Sequence, residues 1–166
     1  MTDERESRPA TLADLLDVIR ALNAQGAEYL LVGGYALLAH GYVRGTTDID
    51  ILVPPTRTSA ERVTRALLLL PQQVAKDIDP AWFEEGNTIR VADEFVVDVM
   101  FNACGETYAS LLPHAQTVVL DDGTPVTTLD LEGLLKTKQT VRDKDKIDRF
   151  ALERALAEKQ ARENHE

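Results

Sequence analysis

A chain of 166 residues has the length of one domain. Its 44% hydrophobic and 28% charged residues are enough for a substantial core and exclude a disordered or fibrous class. The formal net charge of −10 argues against nonspecific coating of nucleic acid, and the single Cys104 excludes an intramolecular disulfide framework and cannot alone make a zinc site. No stretch approaches the roughly 20 apolar residues of a membrane span. Residues 1–9 are polar and mixed in charge, unlike a signal or transit peptide. A reduced cytoplasmic protein is the expectation.

In chain order, residues 1–10 read as a flexible N-terminus, 11–160 as one domain and 161–166 as a flexible tail. Thr11-Leu12-Ala13-Asp14 has the form of a capping box, with Asp in place of Glu or Gln. Leu12, Leu15, Leu16, Ile19 and Leu22 then follow at helical spacing until Gly26. Tyr29 to Val32 reads as a short buried strand. Gly33-Gly34 turns it into a short helix, Tyr35 to Ala39, which Gly41 ends. Ile49 to Val53 is the next strand, closed by Pro54-Pro55, and Ser59 is placed to cap a helix through Leu70. Gln72 to Trp82 is weakly patterned and reads as loop. Thr88 to Val91 and Glu94 to Phe101 form a strand pair around Ala92-Asp93. Thr117 to Leu120 and Pro125 to Thr128 flank Asp121-Asp122-Gly123-Thr124, a hairpin turn. A helix from Thr128 or Asp130 through about Val141, and a last one from Asp143 to about Gln160, complete the chain. The sum is an α+β domain, a mixed β-sheet flanked by helices with several of them C-terminal.

Asp48-Ile49-Asp50 is the most informative stretch. Two aspartates at i and i+2 of a strand share a face, their Cα atoms roughly 6.7 Å apart. Both carboxylates can therefore converge on a hard divalent cation. Asp98 is the third candidate, within the otherwise apolar strand Phe95-Val96-Val97-Asp98-Val99-Met100-Phe101. A buried carboxylate needs a partner, because an uncompensated charge costs several kcal/mol. Metal ions beside Asp48 and Asp50 would supply one; Arg90, or the solvent face of an edge strand, is the alternative. Mg2+ suits a set of carboxylates completed by water and phosphate oxygens, with Mn2+ as a substitute. Two ions about 3.5–4 Å apart neutralise the attacking and leaving oxygens of an in-line displacement. In that chemistry Asp48 and Asp50 hold the triphosphate-bound ion and share the second. Asp98 ligates the second and helps deprotonate the acceptor. Gly33-Gly34 would let backbone amides approach phosphate oxygens at the start of the following helix. The same pair also serves as an ordinary tight turn.

Leu31-Val32-Gly33-Gly34-Tyr35-Ala36, His40-Gly41 and Arg44-Gly45-Thr46-Thr47-Asp48-Ile49-Asp50-Ile51-Leu52-Val53 together resemble the nucleotidyltransferase superfamily typified by DNA polymerase β. The nearest likeness is to the small bacterial branch that includes the abortive-infection nucleotidyltransferase toxins. Its pattern is an apolar residue, Gly-Gly or Gly-Ser, a spacer, Asp-x-Asp or Asp-x-Glu, and a third carboxylate on a later strand. Gly33, Gly34, Asp48, Asp50 and Asp98 fill these places in order. Leu134-Leu135-Lys136-Thr137-Lys138, Arg142-Asp143-Lys144-Asp145 and Asp148 are similar to the C-terminal helical signature of that branch, whose basic residues approach the nucleotide. The likeness spans residues 12 to 156.

The resemblance implies a Mg2+-dependent enzyme moving an NMP group from an NTP such as ATP or GTP to a hydroxyl on RNA (a tRNA 3′ end), protein or a small molecule. Asp48, Asp50 and Asp98 are implied as catalytic residues and metal ligands. Gly33, Gly34, Tyr35, Arg44, Lys136, Lys138 and Arg142 are implied at the nucleotide. Tyr35 stands where many members carry Ser or Thr, and Val141 replaces a small residue, so the matching lysine stays open between Lys136 and Lys138. The alternative is a non-catalytic nucleotide- or partner-binding module, such as one component of a toxin–antitoxin pair with a cognate partner protein. A small metal-dependent hydrolase leaves the glycine turn unexplained. Residues 136–149 hold six basic side chains against three acidic ones, a local +3 in an acidic chain. Of the remaining candidates, Arg44 pairs with Asp48 or a phosphate or is a solvated loop residue, and His40 reads as a helix cap. Lys144, Lys146 and Arg149 read as the wet face of a helix, and Trp82 beside Phe83 as a core anchor rather than a base-stacking platform.

Overall fold

A computed structural model describes residues 7–42, 48–138 and 143–164, with the backbone alone for 143–145. The described residues form an α+β fold in the order α1 (Leu12–Ala24), β1 (Leu30–Val32), α2 (Gly33–Ala39), β2 (Ile49–Leu52), α3 (Arg57–Leu67), α4 (Ala81–Glu85), β3 (Ile89–Ala92), β4 (Val96–Met100), α5 (Tyr108–Leu111), β5 (Ala115–Val119), β6 (Pro125–Leu129), α6 (Leu131–Lys136) and α7 (Asp143–Asn164). Single 3-10 turns occupy Val74–Asp77 and Leu112–His114.

The six strands make one mixed sheet in the order β3-β4-β2-β1-β6-β5. β2 runs antiparallel to β1 and parallel to β4; β6 is parallel to β1, and two hairpins, β3–β4 and β5–β6, close the two sides. Because side chains alternate across a strand, Ile49 and Ile51 of β2, Val97 and Val99 of β4, and Ile89 and Val91 of β3 share the face that packs into the core, where all six are buried. The residues between them, Asp50, Asp98 and Arg90, fall on the opposite face.

The expected capping box of α1 is formed. Thr11 Oγ1 accepts from the Asp14 amide at 3.2 Å, and Asp14 Oδ2 accepts from the Thr11 amide at 2.8 Å. Its buried stripe is Leu15, Val18, Ile19 and Leu22, so Val18 joins the face and Leu12 is exposed at the first turn. Other boundaries shift for local reasons. Thr56 rather than Ser59 caps α3, its hydroxyl accepting from the Ser59 amide at 3.1 Å. The stretch Gln72 to Trp82, expected as loop, holds the 3-10 turn Val74–Asp77 and the first two residues of α4, which ends at Gly86 with a positive φ of 79°. Asp130 caps α6, accepting from the Gly133 amide at 2.7 Å. α7 continues through Asn164, past the expected end near residue 160. Among the described residues no helix is long and apolar enough to cross a membrane.

The segment between α3 and β3 is organised by a carboxylate. Asp93, fully buried between β3 and β4, accepts from the backbone amides of Gln72 (3.0 Å), Val74 (3.0 Å) and Glu94 (2.7 Å). The bonds from Gln72 and Val74 hold the loop that leads to α4 against the β3–β4 turn.

Candidate active site

The parallel pairing of β2 with β4 sets Asp50 opposite Asp98, and the β3–β4 hairpin sets Arg90 opposite Asp98. On the other side, Asp50 is opposite Val32, the last residue of β1. Directly opposed residues stand side by side on one face. The face therefore carries the row Arg90, Asp98, Asp50, Val32, about 14 Å from end to end at the usual strand spacing. Asp48 lies two residues before Asp50, at the bend that enters β2.

Gly33 follows Val32 and abuts the row. Its φ is +74°, and a Cβ there would overlap Asp50 Oδ2 and come within 3.2 Å of Asp50 Cγ. Both the left-handed backbone and the close approach demand glycine. The strand-to-helix turn is thereby pressed against the carboxylate, and the first residue of α2 is in contact with Asp50. The glycine turn and the Asp-x-Asp motif, apart in sequence, are one structural unit.

Arg90 closes the other end. Its Nε and Nη2 donate to Asp98 Oδ1 and Oδ2 at 3.0 and 3.1 Å, a bidentate pair, and Nη2 reaches Asp48 Oδ2 at 3.4 Å. The side chain of Asp98 is 11% exposed, so a planar guanidinium matched to both oxygens meets the need for a partner. Of the two partners weighed from sequence, this structure presents the arginine. Among the described residues no three His, Cys, Asp or Glu side chains are gathered closely enough to hold a metal ion as they are placed. The donor set nonetheless suits a hard divalent cation: anionic oxygens from three aspartates on one face. Two of the three, Asp48 and Asp98, already share one cationic group, Arg90.

The remaining candidates are placed differently. The Tyr35 hydroxyl is buried and donates to the Ala10 carbonyl at 2.6 Å. Burial first, and the nearby Asp14 charge second, push its pKa up. What Tyr35 can present to an anion is thus its main chain. Gly34 is buried in the first turn of α2. His40 is the C-cap of α2 through its backbone N–H, while its Nε2 lies 2.7 Å from the Leu129 carbonyl and ties the helix end to β6. Lys136 is exposed at the end of α6, whereas Lys138 is buried and pairs with Asp148 of α7 at 3.0 Å. Arg149 Nη1 donates to the Lys138 carbonyl at 2.6 Å, so Arg149 is more than a solvated side chain. Arg44 and Arg142 lie outside the described residues, and of the Lys144 side chain nothing is described.

Trp82 departs from its expected role. Phe83 is the core anchor, fully buried and edge-on to Phe101 at 5.1 Å, while Trp82 keeps 41% of its surface exposed. Successive helical residues point about 100° apart, so only one of the pair can face the core. A larger, mostly apolar cavity of about 370 Å3 lies between α1, α2 and the β5–β6 hairpin, lined by Leu12, Leu16, Leu38, Val118 and Val126 among others; it includes none of the row.

No protein-family model and no curated protein matches this chain.

Proposed function

We propose that the chain is a Mg2+-dependent nucleotidyltransferase, moving an NMP group from an NTP to an acceptor hydroxyl with release of pyrophosphate. The observation that carries this reading is the contact of Gly33 with Asp50 in a row that continues to Asp98. It puts the two halves of the sequence motif, glycine turn and paired carboxylates, side by side. In the proposed reaction the acceptor oxygen attacks the α-phosphorus and the α–β phosphoanhydride bond breaks. Pyrophosphate leaves, and the hydroxyl proton passes to Asp98. Bound magnesium supplies charge neutralisation at the attacking and leaving oxygens. Asp48, Asp50 and Asp98 are the residues that would hold it. Gly33, lacking a side chain, lets the Asp50 carboxylate pack against the start of α2, where backbone amides would face the phosphates. For Asp48 and Asp98 to act as ligands, the Arg90 guanidinium must withdraw from at least one of them. Catalysis then rests on positioning and charge, as in phosphoryl transfer generally.

A second reading, a nucleotide- or partner-binding module without turnover, is favoured by one observation: Arg90 neutralises Asp98 and reaches Asp48 with no metal required. Incubation with Mg2+ and each α-labelled NTP, against RNA, protein and small-molecule pools, separates the two. Transfer of label by the wild type, lost in the Asp48→Ala/Asp50→Ala double variant with an unchanged far-UV spectrum, is the expected result. Equal labelling by both proteins would refute the site. Saturable Mg2+–NTP binding with no transfer to any pool would establish the binding module.

A further inference from the structure

At Arg90 the row reaches the edge strand of the sheet. Beyond it, at the outer edge of the sheet, a cleft of about 320 Å3 is lined by Trp82, Glu85, Asn87, Thr88, Ile89 and Arg90. We propose that this cleft binds a planar, hydrogen-bonding heterocycle, a nucleobase, whose sugar and phosphate extend toward Asp98. The inference rests on the nucleotidyltransferase reading for that direction, though not for the cleft itself.

The warrant is the chemistry of the walls. The half-exposed Trp82 supplies an indole, a surface on which a base stacks regardless of its identity. Arg90 lines the cleft and also donates two hydrogen bonds to Asp98, so one side chain joins the cleft to the carboxylates. A guanidinium in the same wall would also attract the face of a bound base. Asn87 and Thr88 offer both donors and acceptors, and Glu85 an acceptor, as the edge of a base requires and a plain hydrocarbon does not. The volume sits at the small end of ligand pockets, suited to one ring system rather than a whole nucleotide. Position completes the argument. Arg90 is common to the cleft and the carboxylates, and Gly33 lies at the opposite end of the row, three strand spacings away.

The base has two sources, the NTP and a nucleoside acceptor. Trp82 is the chain's one tryptophan, so its emission reads the cleft directly. Wild-type protein is titrated with nucleosides, with each NTP and Mg2+, and with inorganic triphosphate and Mg2+; affinities are measured in parallel by equilibrium dialysis. Quenching by base-bearing ligands and none by inorganic triphosphate is expected. Trp82→Leu should weaken base-bearing ligands by roughly 5- to 150-fold, the range of one stacked base, with Trp82→Phe between it and wild type. Quenching by NTP that excludes further quenching by nucleoside assigns the cleft to the nucleotide. Quenching by nucleoside on top of saturating NTP assigns it to the acceptor. Ligands that bind with Trp82 emission and Trp82→Leu affinity unchanged overturn the cleft while leaving the transferase reading intact. Nucleosides that quench in a protein that never transfers label keep the cleft and overturn the transferase. A folded protein that binds no base-bearing ligand overturns the cleft.

Discussion

Gly33 shows how one atom links two motifs. Gly33→Ala forces a Cβ onto the Asp50 carboxylate in a left-handed backbone. Strain and overpacking together should lower stability by about 1–3 kcal/mol. Chemical denaturation checks this, and Asp50→Ala in the same background should recover the part due to overlap with the carboxylate, leaving the backbone strain and the closer Cβ contact. If Gly33→Ala is as stable as wild type, the contact is not as described. Arg90 and Trp82 carry the opposite lesson at this scale. Arg90 was open from sequence as a partner for Asp98, and register alone brought it there. Trp82 and Phe83 are neighbours of similar hydrophobicity, and nothing local decides which one faces the core.

Among the elements, α1 is the most locally encoded, since its cap, spacing and terminus all lie within fifteen residues. Yet Asp14 does more than cap. Arg8 donates to both its oxygens, at 2.6 and 3.0 Å. These hydrogen bonds, with those from Thr11, hold the Asp14 carboxyl at about 2, below the usual carboxylate range. A depressed native pKa means that the unfolded chain takes up protons first as pH falls. The stabilisation is fully present above about pH 4 and is lost as pH falls through 2. Acid unfolding followed by circular dichroism should show that limb flattened in Asp14→Asn. At neutral pH, Asp14→Ala should cost about 1–2 kcal/mol for cap and ion pair together. The elements that sequence did not disclose, α4 and α5, have five and four residues, too few for a helical period to register. The loop before α4 is ordered by Asp93, whose partners at Gln72 and Val74 lie about twenty residues away.

Across the whole molecule, the C-terminal basic segment changes meaning. Lys138 and Asp148 are buried together, tying the end of α6 to α7. On α7, Asp148, Leu152 and Ala155 form the buried stripe, while most of the helix is polar and exposed. Removing one partner of a buried ion pair takes a charge-assisted contact from the other. Lys138→Met should therefore lower stability by about 1.5–3 kcal/mol, and Asp148→Leu added to it should restore part of the loss. A thermal or urea transition measures both. A Lys138→Met protein of wild-type stability but much weaker NTP binding would instead assign the lysine to the nucleotide. The resemblance named Lys136 and Lys138 as alternatives; the fold separates them into an exposed side chain and a buried, ion-paired one.

By itself the sequence determined the alternation of apolar and polar residues that makes an α+β fold, the cap of α1, the hairpins, and the carboxylates of the motif with the glycine that precedes them. These are local properties, written in spacing and in residues with strong backbone preferences. Only the tertiary structure decided that Gly33 touches Asp50, that Arg90 is the cation beside Asp98, that Lys138 is buried and that Trp82 opens onto a cleft. Each of those depends on strand register and on which face of an element meets the sheet. Register and facing are set by the packing of the whole core, a sum of many weak contacts that no short stretch of residues contains.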